Sequence, residues 1–139
     1  MTAAAGYSGT PLPRKLGVKA GHLVLLDAAP PTLDALLVPL PPDVTIQRRA
    51  GKGPYDVVVA FVTSQVDLQA RLPAHKPRLR SNGGLWMAWP KKASGVKTDV
   101  TEDLVRNLAL ELGLVDNKVC AVDAVWSGLR LVYRLKDRV

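Results

Sequence analysis

The sequence predicts a three-layer α/β domain: an open, mostly parallel sheet with helices on both faces and an antiparallel hairpin at its C-terminal end. Three observations predict it. Short apolar runs bounded by turn residues mark strands buried on both sides, segments of helical spacing alternate with them, and two late strands are joined by a short link. With 139 residues, 47% hydrophobic and 22% charged, the chain has the balance of one globular domain with a single core. Residues 1–21, with Gly6, Gly9, Pro11, Pro13, Gly17 and Gly21, read as an irregular lead-in with a helical turn around Arg14 and Lys15, and residues 22–139 as the domain.

His22-Leu23-Val24-Leu25-Leu26-Asp27 is the first strand, bounded by Gly21 and Pro30-Pro31. Pro31 to Leu40 offers a short helix, with Leu33, Leu36 and Leu37 at helical spacing and Pro39 as its stop. Val44 to Arg49 is β-branched and alternating, a more exposed strand ended by Gly51 and Gly53. Tyr55 to Val62 is the clearest buried strand, since nearly every residue after Asp56 is apolar. Ser64 suits the N-cap of a helix running to Pro73, followed by a looser basic stretch to Arg80. Ser81-Asn82-Gly83-Gly84 reads as a turn before a strand over Leu85 to Trp89, closed by Pro90. Val100, Leu104, Leu108 and Leu112 repeat every four residues in the longest helix, with Asp99 and Glu102 as a capping-box pattern and Gly113 as the stop. Lys118 to Asp123 and Leu129 to Leu135 complete the sheet as two strands joined near Trp126-Ser127-Gly128.

The net charge of +7 is uneven: no carboxylate falls between Asp67 and Asp99, where Arg71, Lys76, Arg78, Arg80, Lys91, Lys92 and Lys97 lie. Such a segment either solubilises one face or attracts an anionic small molecule, an acidic protein surface or nucleic acid. One cysteine, Cys120, leaves no internal disulfide and predicts a reducing, cytoplasmic setting. The start, Met1 to Ser8, lacks the pattern of an export signal, and no apolar run has the length of a membrane span.

Two resemblances follow. Gly6-Tyr7-Ser8-Gly9-Thr10-Pro11-Leu12 with Lys15-Leu16-Gly17, Trp89-Pro90-Lys91-Lys92-Ala93-Ser94-Gly95, and Asp116-Asn117-Lys118-Val119-Cys120-Ala121-Val122-Asp123 resemble a family of short bacterial proteins known only as a domain of unknown function. That likeness implies no activity. Leu16 to Leu25, Gly53-Pro54-Tyr55-Asp56-Val57-Val58-Val59 and Gly83-Gly84-Leu85-Trp86-Met87 are more distantly similar to strands one, four and five of the class I S-adenosylmethionine-dependent methyltransferases. This second likeness implies a shortened, Rossmann-like sheet, with one strand-helix unit missing because only about 27 residues separate Asp27 from Tyr55.

The methyltransferases follow their first strand with a glycine-rich turn and end their second with a carboxylate for the ribose hydroxyls. Here Asp27-Ala28-Ala29-Pro30-Pro31 and Arg48-Arg49-Ala50 stand in those places. The expectation is therefore a cofactor-free, non-enzymatic binding domain for an anionic small molecule or a protein partner. Alternatives are a methyltransferase with an altered cofactor site and a nucleic-acid-associated protein.

Open α/β sheets bind ligands beyond the carboxyl ends of their strands, which makes Trp89 to Asp99 the leading candidate segment. Lys91, Lys92, Ser94, Lys97 and Thr98 suit an anion there, beside free amides at a helix N-terminus, although Asp99, Glu102 and Asp103 compete for that end. Asp27, Tyr7, Ser8 and Thr10 face the same edge in this reading; in the alternative, Asp27 caps the next helix and Tyr7 packs on the sheet. Trp126, beside a turn, is the aromatic expected at the surface, whereas Trp86 and Trp89 are expected in the core. His22, His75 and Cys120 are too scattered for a metal site, and neither a nucleophile elbow nor a P-loop is present.

Overall fold

The computed structural model describes residues 10–138. Within them, a short helix α1 (Leu12–Leu16) precedes β1 (Leu23–Asp27), a 3-10 helix (Pro31–Leu36), β2 (Thr45–Gln47), β3 (Tyr55–Phe61), α2 (Gln65–His75), β4 (Leu79–Pro90), α3 (Glu102–Glu111), β5 (Leu114–Ala121) and β6 (Trp126–Tyr133). The sheet order is β2-β1-β3-β4-β6-β5. Strands β2, β1, β3 and β4 pair in parallel, and β6 lies antiparallel between β4 and β5. The predicted order of strands and helices is the observed one. Only β2 lies beyond β1, as the short Asp27–Tyr55 interval requires.

Alternation along each strand divides the core between two faces. Leu25, Val58, Ala60, Leu85 and Met87 pack with Leu68 and Leu72 of α2 and with Val105 and Ala109 of α3. Val24, Leu26, Val57, Val59, Phe61 and Trp86 pack on the other face with Leu33 and with Leu12, Leu16 and Val18. The last part of the expected lead-in is thus core: α1 starts at a proline-rich turn, ends at Gly17 with φ 80°, and buries Leu16 completely. Trp86, fully buried, donates from Nε1 to the Leu16 carbonyl at 3.0 Å and ties α1 to the sheet.

Four local expectations are corrected. The predicted turn at Ser81–Gly84 is continuous strand, because β4 begins at Leu79. Its glycines serve close approach instead: a Cβ on Gly83 would lie 2.8 Å from the Asp56 carbonyl oxygen, and one on Gly84 would lie 2.4 Å from Arg130 Nε. Helix α2 continues through Pro73 to His75, with Ser64 Oγ accepting from the Asp67 amide as expected. Thr101, rather than Asp99, caps α3 by accepting from the Leu104 amide. Trp126-Ser127-Gly128 is not a connection but the start of β6; the link is Val122 to Val125, closed by Asp123 Oδ1, which accepts from the amides of Val125 and Trp126 at 2.8 Å each. No helix among the described residues is long and apolar enough to cross a membrane.

Candidate functional site

The strands β1, β3, β4 and β5 run in one direction, so Asp27, Phe61, Pro90 and Ala121 share the carboxyl edge of the sheet. Among the sequence candidates, Lys91, Ser94, Thr98 and Trp126 are brought to this edge, with Lys92 and Lys97 exposed beside them. Thr10 precedes α1. Tyr7 and Ser8 lie outside the described residues.

Most of the polar groups here are committed to holding the loop. Ser94 Oγ donates to the Lys91 carbonyl at 2.6 Å and accepts from the Val96 amide at 3.1 Å, closing a 3-10 turn. Thr98 Oγ1 donates to the carbonyl of Thr63, just past β3, at 2.7 Å, and accepts from Val100 N–H. Asp99 Oδ1 accepts from the Gln65 amide at 2.8 Å, adding to the cap of α2. These bonds join the β4–α3 loop to the start of α2. Trp126 is half-buried, not a free platform: it packs edge-on against Phe61, with ring centres 5.1 Å apart and planes at 89°.

Asp27 does not cap the following helix, whose N-cap position is Pro30 without a side-chain bond. It points instead to the α2 face, where His75 Nε2 lies 2.8 Å from Oδ2 and Arg71 Nη1 lies 3.2 Å from Oδ1. Arg78 Nη1, 3.3 Å from His75 Nδ1, has only protons to offer. His75 therefore accepts at Nδ1 and donates to Asp27 from Nε2. The hydrogen bond from His75 holds the Asp27 carboxyl below its ordinary pKa; partial burial opposes this and Arg71 adds to it. Forty-eight residues separate the two partners, and nothing local in the sequence signals their meeting.

A second convergence joins three of the segments quoted for the bacterial resemblance. Lys15 Nζ donates to the Ala121 carbonyl at 3.1 Å, and Lys118 Nζ donates to the Lys15 carbonyl at 3.2 Å. Burial pushes the Cys120 thiol pKa up, while the fields of Lys15, Lys118 and Lys91 pull it down. The periodicity of the sequence placed these residues on separate elements and gave no sign of their meeting.

The basic segment does not form one patch. Arg71 pairs with Asp27, Arg80 Nε with Asp56 Oδ1 at 3.0 Å, and Lys76 donates to the Leu112 carbonyl. Arg80 and Lys91 stand at opposite ends of β4, roughly 35 Å apart at the rise of an extended chain.

At the turn after β1, Ala28 adopts φ 58°, the left-handed conformation usually given to glycine, with only methyl side chains at 28 and 29. The end of β2 does not fit a ribose diol, because Arg48 occupies it and pairs with Asp34 of the 3-10 helix. Pro30 and Pro31 also remove two amide donors from the start of that helix. The edge therefore does not reproduce the cofactor contacts that the methyltransferase resemblance implies, and no methyl-transfer step follows from these residues.

Neither a family model nor a curated protein matches the sequence. Solved structures do match its fold. The chain is similar to the DhpI–SAH complex (10% identity, TM-score 0.62, over 90% of this chain and 83% of that one). It is also similar to a SAM-dependent methyltransferase from Aquifex aeolicus (12%, 0.57, 85% of each chain). A TehB-like SAM-dependent methyltransferase from Corynebacterium glutamicum is a third likeness (11%, 0.54, 94% and 91%). At these identities the likeness is one of architecture: the chain has a methyltransferase-like Rossmann fold with an antiparallel β4-β6-β5 portion.

Proposed function

We propose that this protein is an S-adenosylmethionine-dependent methyltransferase with an altered cofactor site, working at the carboxyl edge of its sheet. The observation that carries the reading is the left-handed turn at Ala28, directly after β1 in a sheet of methyltransferase-like topology. In wound α/β sheets the turn after the first strand is where the backbone approaches a nucleotide, and a left-handed residue at that position supports the reading, although no glycine supplies it. A non-Gly residue in this conformation costs about 1 kcal/mol, and such strain collects at functional turns.

Titration calorimetry and thermal unfolding with S-adenosylmethionine and S-adenosylhomocysteine test the reading. Saturable stabilisation is expected, about 2.7 kcal/mol at a ligand concentration 100 times Kd. Ala28→Gly should retain binding, whereas Ala28→Val, β-branched at a left-handed position, should lose it. No shift at millimolar cofactor removes the proposal.

A second reading, a non-enzymatic binding domain for an anionic small molecule or protein partner, is supported by Arg48 standing where the ribose-binding carboxylate would be and by Lys92 and Lys97 exposed beside the carboxyl edge. It predicts no response to either nucleoside. The nucleic-acid alternative predicts affinity falling steeply with salt, through counterion release.

A further inference from the structure

At the opposite end of the sheet, where the parallel strands begin, a cavity of about 280 Å³ is lined by Gly17, Lys19, His22, Asp56, Asn82 and Arg130. We propose that this cavity is a binding site for a small dianion of the phosphate type, with the Arg130 guanidinium as its principal contact and Lys19, His22 and Asn82 around it. It is separate from the carboxyl-edge reading.

Arg130 is built into place. It projects from β6, opposite Trp86, and its side chain crosses the backbone of Gly84. A Cβ on Gly84 would lie 2.4 Å from its Nε, 2.7 Å from Nη2 and 2.8 Å from Cζ, so the guanidinium lies against bare backbone. The side chain is partly buried, yet among the described residues no carboxylate forms an ion pair with it. A desolvated guanidinium without a counter-charge is unfavourable until an anion arrives, and its planar fork matches two phosphate oxygens.

The other lining groups leave the cavity net cationic. Asp56 is the acidic one, and both its oxygens are occupied: Oδ2 accepts from the Leu23 amide at 2.8 Å, and Oδ1 pairs with Arg80, which offsets its charge. Lys19 is exposed and adds a point charge. His22 Nδ1 accepts from the Lys19 amide at 3.1 Å, which leaves the proton on Nε2 as a donor. Asn82 supplies an amide. At about 30 Å³ per water molecule, the cavity holds a phosphate with a small organic substituent rather than a nucleotide.

Inorganic phosphate is the probe, followed by ¹H–¹⁵N NMR against chloride at matched ionic strength. In the native chain, saturable shifts are expected at the Arg130 Nε–H and at the amides of Leu23 and Asn82 to Gly84, with Kd of about 1 mM. Arg130→Gln should weaken the response at least about tenfold. Lys19→Gln, an exposed change that leaves the core intact, should weaken it a few-fold, and Gly84→Ala should abolish it by displacing the guanidinium. Non-saturating shifts, a response unchanged in Arg130→Gln, or shifts confined to Lys91–Thr98 would overturn the proposal. Loss of cofactor binding at the other edge would not bear on it.

Discussion

Replacing Asp27 by Asn removes one negative charge from a cluster that has organised two cations around it. His75, only 2% exposed, still finds an acceptor in the amide oxygen, but the NH₂ group is then turned toward Arg71 Nη1. That nitrogen is buried, lies at ion-pair distance from Asp27 without hydrogen-bond alignment, and has no other partner. Neutralising the acceptor of the buried His75 bond and leaving Arg71 without its counter-charge costs about 1.5–3 kcal/mol. At roughly 3 °C per kcal/mol for a chain of this size, the melting temperature should fall by about 5–9 °C at pH 7.

The pH dependence gives the sharper check. The Asp27 carboxyl has a lower pKa folded than its ordinary value of 3.8, so its stabilisation is fully present above that value. It is lost as pH falls from there through the lower folded pKa. Urea unfolding of the native and Asp27→Asn chains should therefore show a gap that is full at pH 7 and closes in strong acid. A gap of the same size at every pH, or no gap at pH 7, would refute the account of this cluster.

Three further outcomes are expected. Tyr55→Phe removes a buried hydroxyl that donates to Gln47 Oε1 at 2.6 Å and accepts from Gly51 N–H at 2.9 Å, so stability should fall by about 1–2 kcal/mol and the Gly51 amide should exchange faster. Thr101→Ala should cost about 1 kcal/mol in chemical denaturation through loss of the α3 cap. Trp86→Phe leaves the Leu16 carbonyl without its indole donor, and hydrogen exchange should accelerate at Gly17 and Val18, which close α1, before it does in β3.

The elements and their order were legible because they rest on local signals. The all-apolar run after Asp56 reads as a central strand, the four-residue repeat from Val100 to Leu112 reads as α3, although Val100 falls before its first turn, and Ser64 reads as a cap, each from neighbours within a few positions. The short Asp27–Tyr55 interval also limited the sheet to one strand beyond β1. Gly83-Gly84 misled for a physical reason: glycine signals a turn as readily as it signals close approach, and only the β3 backbone against Gly83 and the Arg130 side chain against Gly84 distinguish the two.

The candidate site was less legible, since side-chain partnerships form across the sheet rather than along the chain. Asp27 meets His75 at a separation of 48 residues, and Lys15 meets Ala121 at 106. Ser94 and Thr98 stand at the carboxyl edge, but their hydroxyls donate to backbone carbonyls, which the local sequence does not signal. Composition and periodicity determined a wound sheet with helices on both faces. Which charges are spent inside it, and which remain for a ligand, was decided only when the strands came together, because electrostatic pairing depends on distance in space and local sequence does not encode it.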